Sequence, residues 1–137
     1  MLYIKNTFME TQTQPKKTIL LVEDDQLIRE LYVRVMRNAG YDVTPAEDGE
    51  KAYQLLTENS YNLILLDIML PKMSGVDILQ KMKDSNNPNL KNKIVMLTNL
   101  DQDLTIANSI ALGASGYVIK SNIVVDKLLE EIKGWLA

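Results

Sequence analysis

The sequence predicts one α/β domain built on a five-stranded parallel sheet with helices on both faces. Three short apolar runs carry this prediction, at residues 19–22, 63–66 and 94–97. They are too short for helices and show no alternating polar positions, which is typical of parallel strands buried on both faces. Helical patterns separate the runs, and such alternation favours a parallel sheet. A length of 137 residues fits a single domain.

Two weaker strand candidates complete the sheet, at residues 41–46 and 117–119. Pro45 cannot donate a hydrogen bond to a sheet ladder, so we expect the strand 41–46 to lie at an edge. The flavodoxin-like order 2-1-3-4-5 places the second strand at an edge. We therefore predict this order.

Each of the five helical patterns has apolar residues three or four positions apart. The first pattern ends at Gly40, a C-cap position, and the third begins at Ser74 with Asp77 at capping-box spacing. The predicted apolar stripe of the first helix comprises Leu27, Ile28, Leu31, Val35 and Ala39. The second pattern centres on residues 52–56, the fourth spans 104–112, and the last runs from 125 to 136.

Composition excludes several classes of protein. The chain has no cysteine for disulfides or thiolate metal sites, and no histidine to carry a phosphoryl group or act as a general base. A net charge of −3 gives no reason to expect nucleic-acid binding. No apolar run approaches the roughly 20 residues that span a bilayer. We expect a cytoplasmic protein with no membrane or nucleic-acid partner.

The domain is expected to span residues 18–137. Residues 1–17 are predicted to be a flexible N-terminal tail, because they are polar and unpatterned from Glu10 onward. The last helical pattern reaches the end of the chain, so no output domain is expected.

Polar side chains follow the strands where each one ends. Glu23 and Asp24 follow the first strand, Asp67 the third, Thr98 the fourth and Lys120 the fifth. In open α/β sheets, sites form outside the carboxyl ends of the strands, near the point where the strand order reverses. We therefore expect these side chains to meet at one edge of the sheet.

Carboxylates brought together in this way repel each other unless a cation lies between them. Mg²⁺ prefers oxygen ligands and combines one or two carboxylates with phosphate oxygens. Glu23, Asp24 and Asp67 supply three negative charges, which Mg²⁺ and Lys120 would balance. With the Thr98 hydroxyl as a donor, the group would form the electrostatic clamp that phosphoryl transfer needs.

Taken singly, each of these residues also has a purely structural interpretation. Acidic residues favour helix N-termini, a strand-end threonine is common, and most lysines lie on the surface. The occurrence of all of them at the ends of different strands favours a functional site.

The chain resembles the receiver domain of bacterial two-component response regulators, of the stand-alone type, over residues 17–136. Four motifs carry the resemblance: residues 19–25 (ILLVEDD), 65–71 with Ser74-Gly75 (LLDIMLP), 96–98 (MLT) and 113–120 (GASGYVIK).

The resemblance implies that Asp67 is the phosphoacceptor in a Mg²⁺-dependent reaction. It further implies that Asp24 binds Mg²⁺ directly, Glu23 binds it mainly through water, and the backbone carbonyl of Met69 is another ligand. The implied donor is a partner histidine kinase or phosphotransfer protein. The chain would be a phosphorelay switch that turns over no free substrate.

The resemblance also implies which residues change position or bonding when Asp67 is phosphorylated. Thr98 would hydrogen-bond the phosphoryl group, Lys120 would pair with it, and Tyr117 would swing inward when Thr98 moves. A downstream protein would bind the 100–120 region. The uncharged segment 104–112, with Trp135 near its rim, is either a docking surface or simply packed.

Two positions depart from the usual receiver pattern. The residue after the lysine is commonly proline, often with a cis bond, and here it is Ser121. Because a cis bond without proline costs about 2.5–4 kcal/mol, we expect a trans bond there. The residue after the threonine is usually small, and here it is Asn99. Both departures bear on the lifetime of the phosphate.

Three rival functions are less consistent with the sequence. Phosphatases with an aspartate nucleophile usually place a second acid two residues later, where this chain has Met69. A flavodoxin-type binder needs a first loop that cradles phosphate, and the acids at 23–25 would repel it. A pseudo-receiver that only docks partners should lack site residues, and none is missing.

Overall fold

The computed structural model describes residues 15–99, 103–120 and 125–137, in which strands and helices alternate along the chain. The strands are β1 (Thr18–Val22), β2 (Asp42–Ala46), β3 (Leu63–Asp67), β4 (Lys93–Thr98) and β5 (Gly116–Ile119). The helices are α1 (Gln26–Asn38), α2 (Gly49–Glu58), α3 (Gly75–Asp84), α4 (Asp103–Ala111) and α5 (Val125–Leu136). A 3₁₀ helix, Pro88–Lys91, precedes β4.

All five strands are parallel and lie in the order β2-β1-β3-β4-β5. The predicted fold class and strand order are therefore confirmed. Pro45 lies on β2, the edge strand, opposite Leu21 of β1. The order reverses between β1 and β3, so the carboxyl ends of these two strands define the switch point.

Alternation along each strand divides the core into two apolar layers. Leu20 and Val22 of β1 face a cluster that includes side chains of α2, α3 and α4. Ile19 and Leu21 face the opposite cluster, which includes side chains of α1 and α5. The sheet thus separates three helices from two, and its central strands are buried on both faces as the apolar runs predicted.

The predicted apolar stripe of α1 is partly wrong. Leu27 is 80% exposed and Leu31 is 38% exposed. Tyr32 and Met36 are buried instead, with Ile28 packed against their cluster. These three residues are four positions apart and form the face that meets the sheet.

The local signals at the helix ends are present in the structure. Ser74 and Asp77 form the predicted capping box at the start of α3. Gly40 follows the C-cap of α1 with a φ of 100°, which glycine adopts without steric cost.

The predicted tail lies mostly outside the described residues, and residues 15–17 have no regular secondary structure. No described helix combines the length and the apolar character that a bilayer span requires.

Candidate functional site

Asp67 ends β3 at the carboxyl edge of the sheet, and its side chain is buried. One carboxylate oxygen, Oδ1, accepts a hydrogen bond from the Met69 amide at 3.0 Å. Helix α3 begins directly against this strand end. A Cβ atom on Gly75 would lie 2.5 Å from the Asp67 carbonyl oxygen, so only glycine allows this approach.

Lys120 joins the ends of β1 and β3 through one ammonium group. Its Nζ lies 2.7 Å from Glu23 Oε1 and 2.9 Å from Asp67 Oδ2. The Lys120 side chain is only 7% exposed and that of Glu23 is fully buried. A surface lysine is therefore excluded, and the predicted meeting of Glu23, Asp67 and Lys120 is observed. The bond from Lys120 to Glu23 was not predicted.

Burial and charge act in opposite directions on this triad. Burial raises the pKa of Glu23, repulsion from Asp67 adds to the rise, and the hydrogen bond from Lys120 opposes it. Burial works to lower the pKa of Lys120, but its bonds to Glu23 and Asp67 outweigh burial and leave that pKa above its ordinary value. The single ammonium group of Lys120 thus offsets part of the charge of two buried carboxylates.

The loop after β1 holds the remaining acids in place. Asp24 is exposed. Asp25 caps α1 by accepting from the Ile28 amide at 3.0 Å, and its own amide donates to Glu23 Oε2 at 3.2 Å. Arg29 Nη1 donates to the carbonyl oxygens of Glu23 at 2.9 Å and Asp24 at 3.3 Å. The sequence analysis missed Arg29. Its partners are backbone carbonyls, which give no signal in the sequence.

The residues present fit a hard divalent cation. One carboxylate oxygen each from Glu23, Asp24 and Asp67 lie within 4.8 Å of one another. Lys120 is the only described cationic side chain paired with them, so three negative charges face one positive charge. An all-oxygen donor set of this kind suits Mg²⁺.

The other predicted site residues lie around the same edge or close to it. Thr98 is buried as the last residue of β4, next in sequence to Leu97, which is opposite Asp67 in register. Tyr117 lies on β5 and is half-exposed. Met69 has an exposed side chain, and its amide contacts Asp67. The predicted trans bond at Ser121 falls outside the described residues.

Comparison with known sequences identifies one family. The model of the response regulator receiver domain matches residues 19–133. The transcriptional regulatory protein CrdR of Helicobacter pylori is 33% identical over 118 residues, which cover 86% of this chain and 54% of CrdR. DltR of Streptococcus agalactiae is 35% identical over 115 residues, which cover 84% of this chain and 50% of DltR. The chain spans about half the length of these curated relatives.

Solved structures agree with the sequence match. A CheY-like receiver domain protein from Methanospirillum hungatei superposes with a TM-score of 0.81 at 30% identity, covering 89% of this chain and 94% of that one. The chemotaxis protein CheY4 of Vibrio cholerae has the same TM-score at 24% identity, covering 89% of this chain and 100% of its own, and supports the fold alone. With its sheet order, its carboxyl-edge acids and this match over most of its length, the chain belongs to the receiver domains of two-component response regulators.

Proposed function

We propose that this receiver domain is a phosphoacceptor switch in which Asp67 takes a phosphoryl group from a phosphohistidine on a partner kinase or phosphotransfer protein. The observation that carries the proposal is the shared ammonium of Lys120 between Asp67 and Glu23. A carboxylate in that position is buried, held in orientation and next to a fixed positive charge. These are conditions for stabilising the charge of a transferring phosphoryl group.

The transfer is a displacement at phosphorus. A carboxylate oxygen of Asp67 forms a bond to phosphorus while the bond from phosphorus to the imidazole nitrogen breaks, and the imidazole leaves with that electron pair. The Met69 amide keeps the carboxylate oriented. Lys120 supplies positive charge beside the new acyl phosphate.

Glu23, Asp24 and Asp67, with the Met69 carbonyl, are the groups that would hold Mg²⁺. When bound, this ion supplies positive charge that neutralises the phosphoryl oxygens. Thr98 is proposed to donate its hydroxyl to the phosphoryl group, and Tyr117 to follow its movement. The resulting change is a shift between two populated states of the domain.

The test is intact-mass measurement after incubation with acetyl phosphate and Mg²⁺. We expect the wild-type chain to gain the mass of one phosphoryl group, and Asp67→Asn to gain none. Asp84→Asn, at an exposed position on α3, is the matched control and should behave like the wild type. A gain that persists in Asp67→Asn, or that needs no Mg²⁺, would contradict the proposal.

The output is proposed to be binding of a downstream protein through the 100–120 region. Its described part exposes three large hydrophobic side chains, Leu104, Ile110 and Tyr117. Trp135 packs over Gly116 on β5, in the apolar layer that also contains Val118. Light scattering with and without beryllofluoride tests whether the occupant of this surface is a second copy of the chain.

The phosphatase alternative is less well supported. A second acid is expected two residues after an aspartate nucleophile, and Met69 there has an exposed thioether side chain in place of a carboxyl group. Turnover of a free phosphoester by the wild-type chain would favour the alternative.

A further inference from the structure

A cleft lies between α1 and the edge strand β2, and it adjoins the carboxylate loop only through Arg29. Its volume is about 520 Å³, within the range of ligand sites. The three arginines of the whole chain, Arg29, Arg34 and Arg37, all line it. A chain with a net charge of −3 therefore gathers every guanidinium group at one place.

The basic character continues along the sheet edge. A neighbouring cleft of about 330 Å³ shares Arg37 with the first one and adds Lys16. Arg29 and Arg37 are eight residues apart on α1, which corresponds to about 12 Å along the helix. One acidic residue lines each cleft, Glu30 in the first and Asp42 in the second. The result is an elongated basic strip rather than a point-like site.

The arginines differ in how far the fold already uses them. Arg37 Nη2 donates to the Val43 carbonyl at 2.8 Å, and Arg29 is held by the acidic loop. Within the described residues, Arg34 makes no side-chain hydrogen bond or ion pair and is exposed. Guanidinium groups carry five donors, so even the two engaged arginines retain capacity for an anion.

We propose that this cleft docks an acidic segment of a partner protein, whose carboxylates pair with Arg29, Arg34 and Arg37.

Two features favour carboxylates over a small phosphate ligand. Phosphate sites usually use backbone amides at a helix N-terminus, whereas this cleft runs along the side of α1 from Arg29 to Asn38, the last residue of the helix. A row of separate guanidinium groups suits carboxylates spread along a chain. The occupant also does not extend the sheet, because Pro45 lacks an amide hydrogen and Arg37 already covers the Val43 carbonyl.

The inference goes beyond the proposed switch and is tested without phosphorylation. The probe is a fluorescein-labelled hexaglutamate peptide, and fluorescence anisotropy is measured with the full chain at low salt. We expect saturable binding that weakens as salt rises. Arg34→Glu should weaken binding about fivefold or more, because it replaces an attraction with a repulsion. Lys83→Glu, exposed on α3, changes net charge equally and should alter binding less than twofold.

Three results would overturn the inference. The first is the absence of saturable binding by the wild-type chain. The second is an equal loss in Arg34→Glu and Lys83→Glu, which would indicate general charge attraction. The third is displacement of the peptide by ATP at lower concentrations than by unlabelled hexaglutamate, which would indicate a small-polyanion site. Binding that survives Asp67→Asn separates this inference from the phosphoacceptor proposal.

Discussion

Replacing Lys120 by methionine should destabilise the protein strongly while preserving most of the volume of the side chain. The lysine is the partner of two buried carboxylates, Glu23 and Asp67. Breaking a buried ion pair by removing one partner costs about 3–5 kcal/mol, because a charge is left buried without compensation. With total stabilities of about 5–15 kcal/mol for such domains, the loss should be a large fraction of the free energy of unfolding.

The pH dependence gives this prediction a second readout. The folded-state pKa of Lys120 is raised, so its stabilising contribution is complete below the unfolded pKa of about 10.4. That contribution is lost as the pH rises through the folded pKa. The stability difference between wild type and Lys120→Met should therefore shrink above about pH 10.4. It should also shrink at acid pH as Glu23, whose pKa is raised, becomes protonated.

The assay is urea unfolding followed by circular dichroism in EDTA, across a range of pH. Lys127→Met is the matched control, because Lys127 pairs with Glu130 at 3.9 Å on the exposed face of α5. Exposed pairs contribute about 0–1 kcal/mol. A loss in Lys120→Met no larger than that of the control at neutral pH would refute the assignment of a buried, shared ammonium.

Asn89→Ala should lower the free energy of unfolding, measured in urea, by about 3 kcal/mol, because the buried Tyr61 amide loses its hydrogen-bond acceptor at 2.9 Å. A loss under about 1 kcal/mol would contradict this expectation. Gly75→Ala should lower Mg²⁺ affinity in calorimetry, since its Cβ would force the Asp67 backbone to move. Gly134→Ala has open space and should instead stabilise α5 by about 0.5–1 kcal/mol. Adding Mg²⁺ should raise the urea concentration at the midpoint of wild-type unfolding, because the ion binds the folded state. Removing the ion with a chelator should return the midpoint to its original value.

Strands β1, β3 and β4 were predictable because parallel strands covered on both faces are apolar at nearly every position. Residues 63–66 are recognisable as a buried strand from their composition alone, and Pro45 indicated that β2 is an edge strand of the sheet. The face of α1 was harder, because it depends on where the helix axis lies against the sheet. The predicted stripe contained both Leu27 and Ile28, which have similar hydropathy, and only packing shows that Ile28 faces the core while Leu27 is exposed.

The meeting of Glu23, Asp24 and Asp67 at one edge of the sheet was also predictable, since strand ends and the switch point follow from topology. Their individual environments were not. Glu23 is fully buried and bonded to Lys120, whereas its neighbour Asp24 is exposed. Adjacent residues at a strand end point in different directions, and sequence spacing does not say which one turns inward. Arg29 was missed because its partners are backbone carbonyls, which leave no mark in the sequence.

The division of the core by the sheet has a consequence for how such a domain can change over evolutionary time. Substitutions on opposite sides, such as one at Met36 and one at Leu79, share no cluster and should combine additively. Either layer can therefore diverge to suit a new partner without a compensating change across the sheet. The residues at the carboxyl edge follow strands that are packed in both layers. A substitution there is therefore expected to require compensating changes on both sides of the sheet.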